Sequence, residues 1–362
     1  MQNGQKEDIA AKKAELINHG KINIPKGLAL PFYPSRSTAG PGAGRQALVF
    51  NFYGTRVKLS IVRDGSARYS LEKKVGEDND EKIDRKCIQG KPYQILKDGK
   101  LFLTEVSLEP TIMHAPGQAF INLTSQCIFN CSFCVTPTID HKNRSPSPER
   151  WVELILAQAE NKDLEAVAIT SGVAQSPHET VLDMVKVIKG VRDRLPEIPI
   201  GVEPYLTLKE DVELLYQAGA NEIKINLETP NRDIFKKICQ GLDYDGINNV
   251  LDHAVTIFGK NNVCSNLIIG LGEKDTELLA KVEEFARRGI VATLRGVRVN
   301  ELNKEKIEHD LGFIPEAVKP ERLLNLAEKQ RKILEKYGLS TSSFDTMCHK
   351  CKCCDIVPQQ DI

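Results

Sequence analysis

Six short apolar runs between residues 119 and 299 constrain this chain more than any other feature. They read "AFINL" (119–123), "AVAIT" (166–170), "IPIGVE" (198–203), "EIKINLE" (222–228), "SNLIIG" (265–270) and "ATLRGVRV" (292–299). Helix-forming segments lie between them, and two carry start signals. Ser147 precedes Pro148, and Thr207 stands three residues before Glu210 as a capping box. Six β-then-α units imply an α/β fold with a parallel sheet and right-handed crossovers, either doubly wound or curled into a barrel. In both cases the chemistry belongs at the C-terminal ends of the strands.

The flanking segments read differently. Residues 1–20 suggest one helix ending at Gly20, and "SRSTAGPGAGR" (35–45) is a loop by its Gly, Pro and Ser content. No Lys-Ser/Thr ending follows it, so a linker is a better reading than a phosphate cradle. Residues 46–110 read as a small β-rich unit with two hairpins, turning at Asp64-Gly65 and at Asp98-Gly99. A last helix, "PERLLNLAEKQRKILEKYG", ends at Gly338. The organisation expected is therefore helix and linker (1–45), β-rich subdomain (46–116), βα unit (117–338) and cysteine-rich tail (339–362).

Lys plus Arg and Asp plus Glu both number 49, so no global field points to nucleic acid. No apolar run approaches the roughly 18 residues of a membrane span, and the N-terminal segment has no signal-peptide core. A cytoplasmic protein with no membrane or nucleic-acid partner is the expectation. In a reducing cytosol, ten unevenly spaced cysteines read as metal ligands and not as disulfides.

Cys127, Cys131 and Cys134, in "CIFNCSFC", have the spacing C-x3-C-x2-C directly after the first apolar run. A structural zinc site wants four closed ligands, and no second pair lies nearby. Three thiolates fit a [4Fe-4S] cluster better, because they hold three irons and leave the fourth open.

This spacing, with Phe133 before the last cysteine, resembles the signature of the radical S-adenosylmethionine (SAM) superfamily. The resemblance implies a partial (βα)6 barrel, a [4Fe-4S] cluster whose open iron takes the SAM amine and carboxylate, and a 5′-deoxyadenosyl radical. "TSGV" places Thr170, Ser171 and Gly172 where the family has a Gly-Gly-Glu loop meeting the SAM amine; the Glu is absent, which leaves backbone carbonyls for that task. "INLET" resembles the ribose-contacting segment of biotin and lipoyl synthases, with Asn226 and Glu228 on one strand face. "VCSNLIIGLGE" resembles the fifth strand of those enzymes, where Gly270 and Gly272 would let the backbone approach adenine. The group most resembled is the biotin-synthase-related, lipoyl-synthase-like set, including components of archaeal-type two-component lipoyl synthases.

Cys264 matches a ligand position of biotin synthase, but the other ligands are absent, so it reads as a small buried hydrophobe, as does Cys239. Cys87 has no assignable partner. Arg295 and Arg298 are placed to bind a carboxylate at the barrel mouth or to serve as surface charge. The tail "CHKCKCC" offers Cys348, Cys351, Cys353 and Cys354 to a second iron-sulfur site or a zinc knuckle, with His349 reading as exposed. The tail is expected to fold across the open end of the barrel.

Resemblance to lipoyl synthase implies hydrogen abstraction and sulfur insertion into an octanoyl chain, with the tail cluster as sulfur source. The implied partners are SAM, a reductant such as ferredoxin or flavodoxin, a carrier-bound acyl substrate and a sister radical SAM protein. Two other readings stand beside it. One is a radical rearrangement, methylation or cofactor-maturation enzyme whose tail cluster transfers electrons or anchors substrate; the other is a zinc-binding scaffold.

Overall fold

The computed structural model describes residues 3–36, 45–74, 92–139, 145–160 and 163–362. Cys87 and most of the 35–45 loop lie outside the described residues. The helix Asn3–His19 opens the chain and ends where Gly20 takes a φ of +70°.

Two sheets follow. The first is built from β1 (Lys21–Asn23), β2 (Ser35–Arg36), β3 (Gln46–Phe52), β4 (Thr55–Val62), β5 (Tyr69–Lys73), β6 (Tyr93–Lys97) and β7 (Lys100–Glu109). Its order is β2-β3-β4-β1-β5-β6-β7, and β3 also pairs with β7, so the sheet closes into a small barrel. Alternate side chains point inward, and Leu48, Phe50, Phe52, Leu59, Leu71 and Ile95 are buried.

The hairpin at Asp98-Gly99 forms as expected, with both residues at positive φ. The other one does not. The chain does turn at Asp64-Gly65, but β4 and β5 are not partners, because β1 inserts between them, parallel to both. The hairpin turn in that stretch is Tyr53-Gly54. A three-residue strand arriving from 40 residues away in sequence leaves no local signal.

The second sheet is β8 (Met113–Ala115), β9 (Gln118–Asn122), β10 (Ala166–Thr170), β11 (Ile200–Glu203), β12 (Glu222–Lys224), β13 (Val263–Ile269) and β14 (Val291–Gly296). The strands from β9 to β14 are parallel neighbours in chain order, and β8 adds antiparallel at one edge. This is a curled, open half-barrel wrapped in helices, the α/β architecture expected.

Ser147 caps the helix Pro148–Ala159 through the Arg150 amide, as its sequence suggests. Thr207 does not cap the next helix: Leu208 holds the N-cap position of Lys209–Gln217 and makes no side-chain bond. The expected fourth strand is interrupted beyond Lys224, where Asn226 Oδ1 accepts from the Asn266 amide and Ser265 Oγ accepts from the Leu227 amide; backbone pairing with β13 returns at Glu228, which bridges Leu267.

The N-terminal helix and the small barrel together span the gap between the two open edges, the helix meeting the β14 side and barrel strand β4 the β8 side. On the β14 side, Arg298 Nη1 donates to Ile17 O at 2.6 Å and Asn18 Nδ2 to Val318 O at 2.8 Å. On the β8 side, Lys58 Nζ donates to His114 O at 3.0 Å. Among the described residues no helix is long and apolar enough to cross a membrane.

The tail does not lie across the mouth of the half-barrel. It fills the lumen, entering at the strand starts: Thr346 bonds Glu222 at the first position of β12, and Met347 O accepts from Gln118 at the start of β9. It then climbs to His349 beside Thr293 and to Asp355 on Arg295, near the end of β14. Gly201 permits this route, since a Cβ there would overlap Thr346 Oγ1. Burial drives the placement, for Thr346, Met347, His349, Cys353 and Asp355 are all nearly inaccessible.

Candidate functional site

The loop leaving β9 carries Cys127, Cys131 and Cys134, all half-exposed. It is pinned by backbone bonds from Gly172 N to Thr124 O at 2.8 Å, Ile128 N to Val173 O at 2.7 Å and Ser132 N to Ile238 O at 2.8 Å. A Cβ on Gly172 would overlap Gln126 O and stand 3.0 Å from Thr124 O. Glycine is therefore needed where the "TSGV" turn meets the cysteine loop. Burial raises the Cys134 thiol above its ordinary range, and the neighbouring Cys131 and Cys127 add to the shift. Cys239 is buried as expected, yet it hydrogen-bonds Cys131, a proximity that two residues 108 apart give no hint of in sequence.

Beside Cys134 opens a cavity of about 230 Å³, walled by Phe133, Glu203, Asn226, Glu228, Asn266 and Arg295, with Arg298, Asn300 and Asn303 at its margin. Its polar wall is an internal network. Asn226 Nδ2 donates to Glu203 at 2.8 Å, and Asn266 Nδ2 donates to Glu228 at 2.7 Å. Of the residues that sequence reasoning grouped, Phe133, Asn226 and Glu228 line this cavity. Gly270 and Gly272 are not among its lining residues: Val297 and Val318 stand over the first, Phe313 and Ile234 over the second. Both take positive φ in a turn whose amides at Gly270 and Leu271 bond the Glu273 carboxylate.

Burial raises the Glu228 carboxyl to about 7 against the opposing bond from Asn266. A carboxyl whose folded pKa exceeds its unfolded value binds the extra proton only in the folded state. Stability is then lost as pH rises from about 4.5 to about 7. Glu228→Gln keeps an acceptor for Asn266 and removes this titration. Denaturant unfolding should show the variant more stable above pH 7, by up to about 3 kcal/mol, with little difference at pH 4.5. An equal gain at both pH values would refute the titration account.

A second cavity, of about 130 Å³, is lined by Cys348, Cys351, Cys353 and Cys354 together with His114, Thr170, Glu203, Arg295 and Asp355. All four tail cysteines line this one cavity. Thr170 lies here and not in the first cavity; Ser171 borders a third, of about 240 Å³, outside the strand ends. Glu203 and Arg295 line both cysteine cavities, so each is a wall common to the two.

Charge surrounds the tail cavity. Arg295 makes a forked pair with Asp355 at 2.8 to 3.3 Å and donates to Cys348 Sγ at 3.2 Å. Lys224, 1% exposed, pairs with Glu203 at 3.0 Å and with Cys348 Sγ at 3.6 Å. Burial opposes the Glu203 and Asp355 carboxylates, but Lys224 and Arg295 respectively hold them below the usual range. Arg295 thus does bind a carboxylate, one supplied by the tail itself. His349 is buried and not exposed; burial lowers its imidazole to about 3. Cys264 packs with Ala168, Val291 and Met347, as a small hydrophobe.

Lys224, Glu203, Asn266 and Asp355 are the site residues that sequence reading passed over. The signal available was a set of polar residues at inward positions of otherwise apolar strands. Among the described residues no three His, Cys, Asp or Glu side chains close around a single metal ion. Tetrahedral zinc would need its sulfurs about 3.8 Å apart, from a Zn–S length of about 2.3 Å. Ligands on different irons of one cluster stand wider. The donor chemistry, three thiols on one loop and four around one cavity, fits iron-sulfur clusters in both places.

The radical SAM superfamily model matches residues 121–285. A probable GTP 3′,8-cyclase of Methanocaldococcus jannaschii is 25% identical over 171 residues, 46% of this chain and 54% of that protein. A lipoyl synthase of Buchnera aphidicola is 26% identical over 175 residues, covering 47% and 53%. The chain therefore spans about half the length of the curated relatives it matches. Among solved structures, HydG, a maturase of the [FeFe]-hydrogenase, superposes with a TM-score of 0.50 at 18% identity, covering 61% of this chain and 51% of that one. That likeness is one of fold. With the three-cysteine loop on the first parallel strand of the half-barrel, residues 121–285 are a radical SAM superfamily domain.

Proposed function

We propose that the protein is a radical SAM enzyme that inserts sulfur into an unactivated C–H bond, with an octanoyl chain on a lipoyl precursor as substrate. The observation that carries this reading is the common wall: Glu203 and Arg295 border both the cavity beside Cys134 and the cavity of the four tail thiols. Cys127, Cys131 and Cys134 would hold the SAM-binding [4Fe-4S] cluster, and Cys348, Cys351, Cys353 and Cys354 an auxiliary cluster. Bound there, the first cluster, reduced by one electron from the reductant, would supply with SAM the chemistry of hydrogen-atom abstraction from carbon, and the second would be the source of sulfide, its iron accepting the electron released as the carbon–sulfur bond forms.

The chain's own residues provide placement. Asn226 and Glu228, fixed by Glu203 and Asn266, present an amide and a carboxyl to ribose hydroxyls. Gly172 seats the cysteine loop against the second strand. The N-terminal helix and barrel together close the open side of the half-barrel and exclude water from the lumen, which keeps a reactive carbon from other partners. The reductant, a ferredoxin or flavodoxin, a carrier protein and a sister radical SAM protein belong to this proposal.

The test is anaerobic reconstitution, reduction with SAM, and mass spectrometry of an octanoyl-bearing peptide, with iron and sulfide counted before and after one turnover. A sulfur-bearing peptide and loss of about one cluster are the expected results. Cleavage of SAM to 5′-deoxyadenosine with both clusters intact and no sulfur gained would overturn sulfur insertion and favour rearrangement, methylation or cofactor maturation.

A further inference from the structure

The surroundings of the tail cavity hold more positive charge than their carboxylates balance. Lys224 is matched by Glu203 and Arg295 by Asp355. Lys58 is a third cation, 1% exposed, and its described side-chain partners are His114 Nδ1 at 3.4 Å and His114 O at 3.0 Å. Burial and Lys58 lower the His114 imidazole to about 3, so it is neutral and offers no compensating charge. Lys58 also donates its backbone amide to Cys353 O at 2.9 Å, which puts it on the tail. Burying an unmatched ammonium is costly unless an anion completes the site. A thiolate-ligated iron-sulfur cluster is such an anion.

The four thiols are not equivalent within this field. Cys353 Sγ donates to Cys351 O at 3.2 Å, a bond local to the tail. Cys348 Sγ alone receives two cationic donors from the barrel strands, Arg295 Nη2 on β14 and Lys224 Nζ on β12. Hydrogen bonds and positive charge at a ligating sulfur stabilise the more negative, reduced form of a cluster and raise its potential.

We propose that Cys348 is the ligand through which the half-barrel tunes the tail cluster, and that Lys224 and Arg295 are positioning residues that raise its reduction potential. This rests on the iron-sulfur reading of the tail. It assigns a function to two strand cations, the buried Lys224 and the partly exposed Arg295, beyond their ion pairs with Glu203 and Asp355. Lys224 also ties the tuned sulfur to Glu203 and, through it, to Asn226 in the first cavity.

The experiment uses the full chain with Cys127, Cys131 and Cys134 all changed to Ala, so that only a tail cluster gives a signal. Iron analysis and an EPR-monitored redox titration are run on this parent and on Lys224→Met, Lys224→Arg, Arg295→Lys and Cys348→Ser. A lower midpoint potential in Lys224→Met at unchanged iron content is expected, with Lys224→Arg returning most of the shift. Cys348→Ser should change the EPR spectrum. An unshifted potential in Lys224→Met, or a parent-like spectrum and iron count in Cys348→Ser, overturns the inference. If Lys224→Met does not fold, Arg295→Lys and Cys348→Ser decide in the same way. A parent with no tail cluster at all overturns the iron-sulfur reading itself and this inference with it.

Discussion

Changing Gly172 to Ala is expected to strip the protein of its first cluster. The added methyl would overlap Gln126 O and sit 3.0 Å from Thr124 O, and both are backbone atoms of the cysteine loop that cannot swing aside. Relief requires the loop to move away from β10, breaking the bond from Gly172 N to Thr124 O. Displacing a reacting centre by about 1 Å can cost about 100-fold in rate, and loss of a ligand costs more. SAM cleavage should fall by at least that factor, with iron content reduced by about one cluster and a far-ultraviolet circular dichroism spectrum like the parent's. Full iron loading and parent-like cleavage in the variant would show that the loop does not need this contact.

The second large effect concerns the opposite end of the chain. Lys13 and Asp361 form an ion pair at 2.5 Å with side chains 0% and 3% exposed. Lys13 also donates to Lys352 O at 2.8 Å, and Asp361 accepts from the Val357 amide at 2.7 Å. Lys13→Met leaves a buried carboxylate without its cation, which costs about 3–5 kcal/mol. Urea unfolding should register that loss. The double change Lys13→Met with Asp361→Leu should recover most of it, because replacing both partners by apolar groups is nearly neutral. A single variant within 1 kcal/mol of the parent would mean that water reaches the pair.

Much of the half-barrel was legible because its strands are apolar runs of strand length bounded by helix starts, as at Ser147-Pro148. The three-cysteine loop was legible because its spacing is local. What escaped was non-local. β1 joins its barrel by pairing with Ser60 and Ser70, which nothing around Lys21 announces. The break in the fourth strand between Lys224 and Glu228 depends on the Asn226 and Ser265 side chains bonding backbone amides across it. The tail's path up the lumen is set by Glu222, Gln118 and Gly201, each more than 120 residues away. His349 followed the tail inward, since its lysine neighbour says little about a segment enclosed by other strands.

The union of Lys13 with Asp361 has a consequence for biogenesis. A ribosome emits the N-terminal helix and the small barrel long before it emits the residues that lock them, and at about 5–20 residues per second the interval lasts tens of seconds. Lys224 and Arg295 lie on strands made before the tail, so neither has Cys348 beside it until the tail arrives. High contact order of this kind slows completion of the fold. The three-cysteine loop is made more than 200 residues before the tail cysteines, so its thiols exist before the lumen receives Cys348 to Cys354.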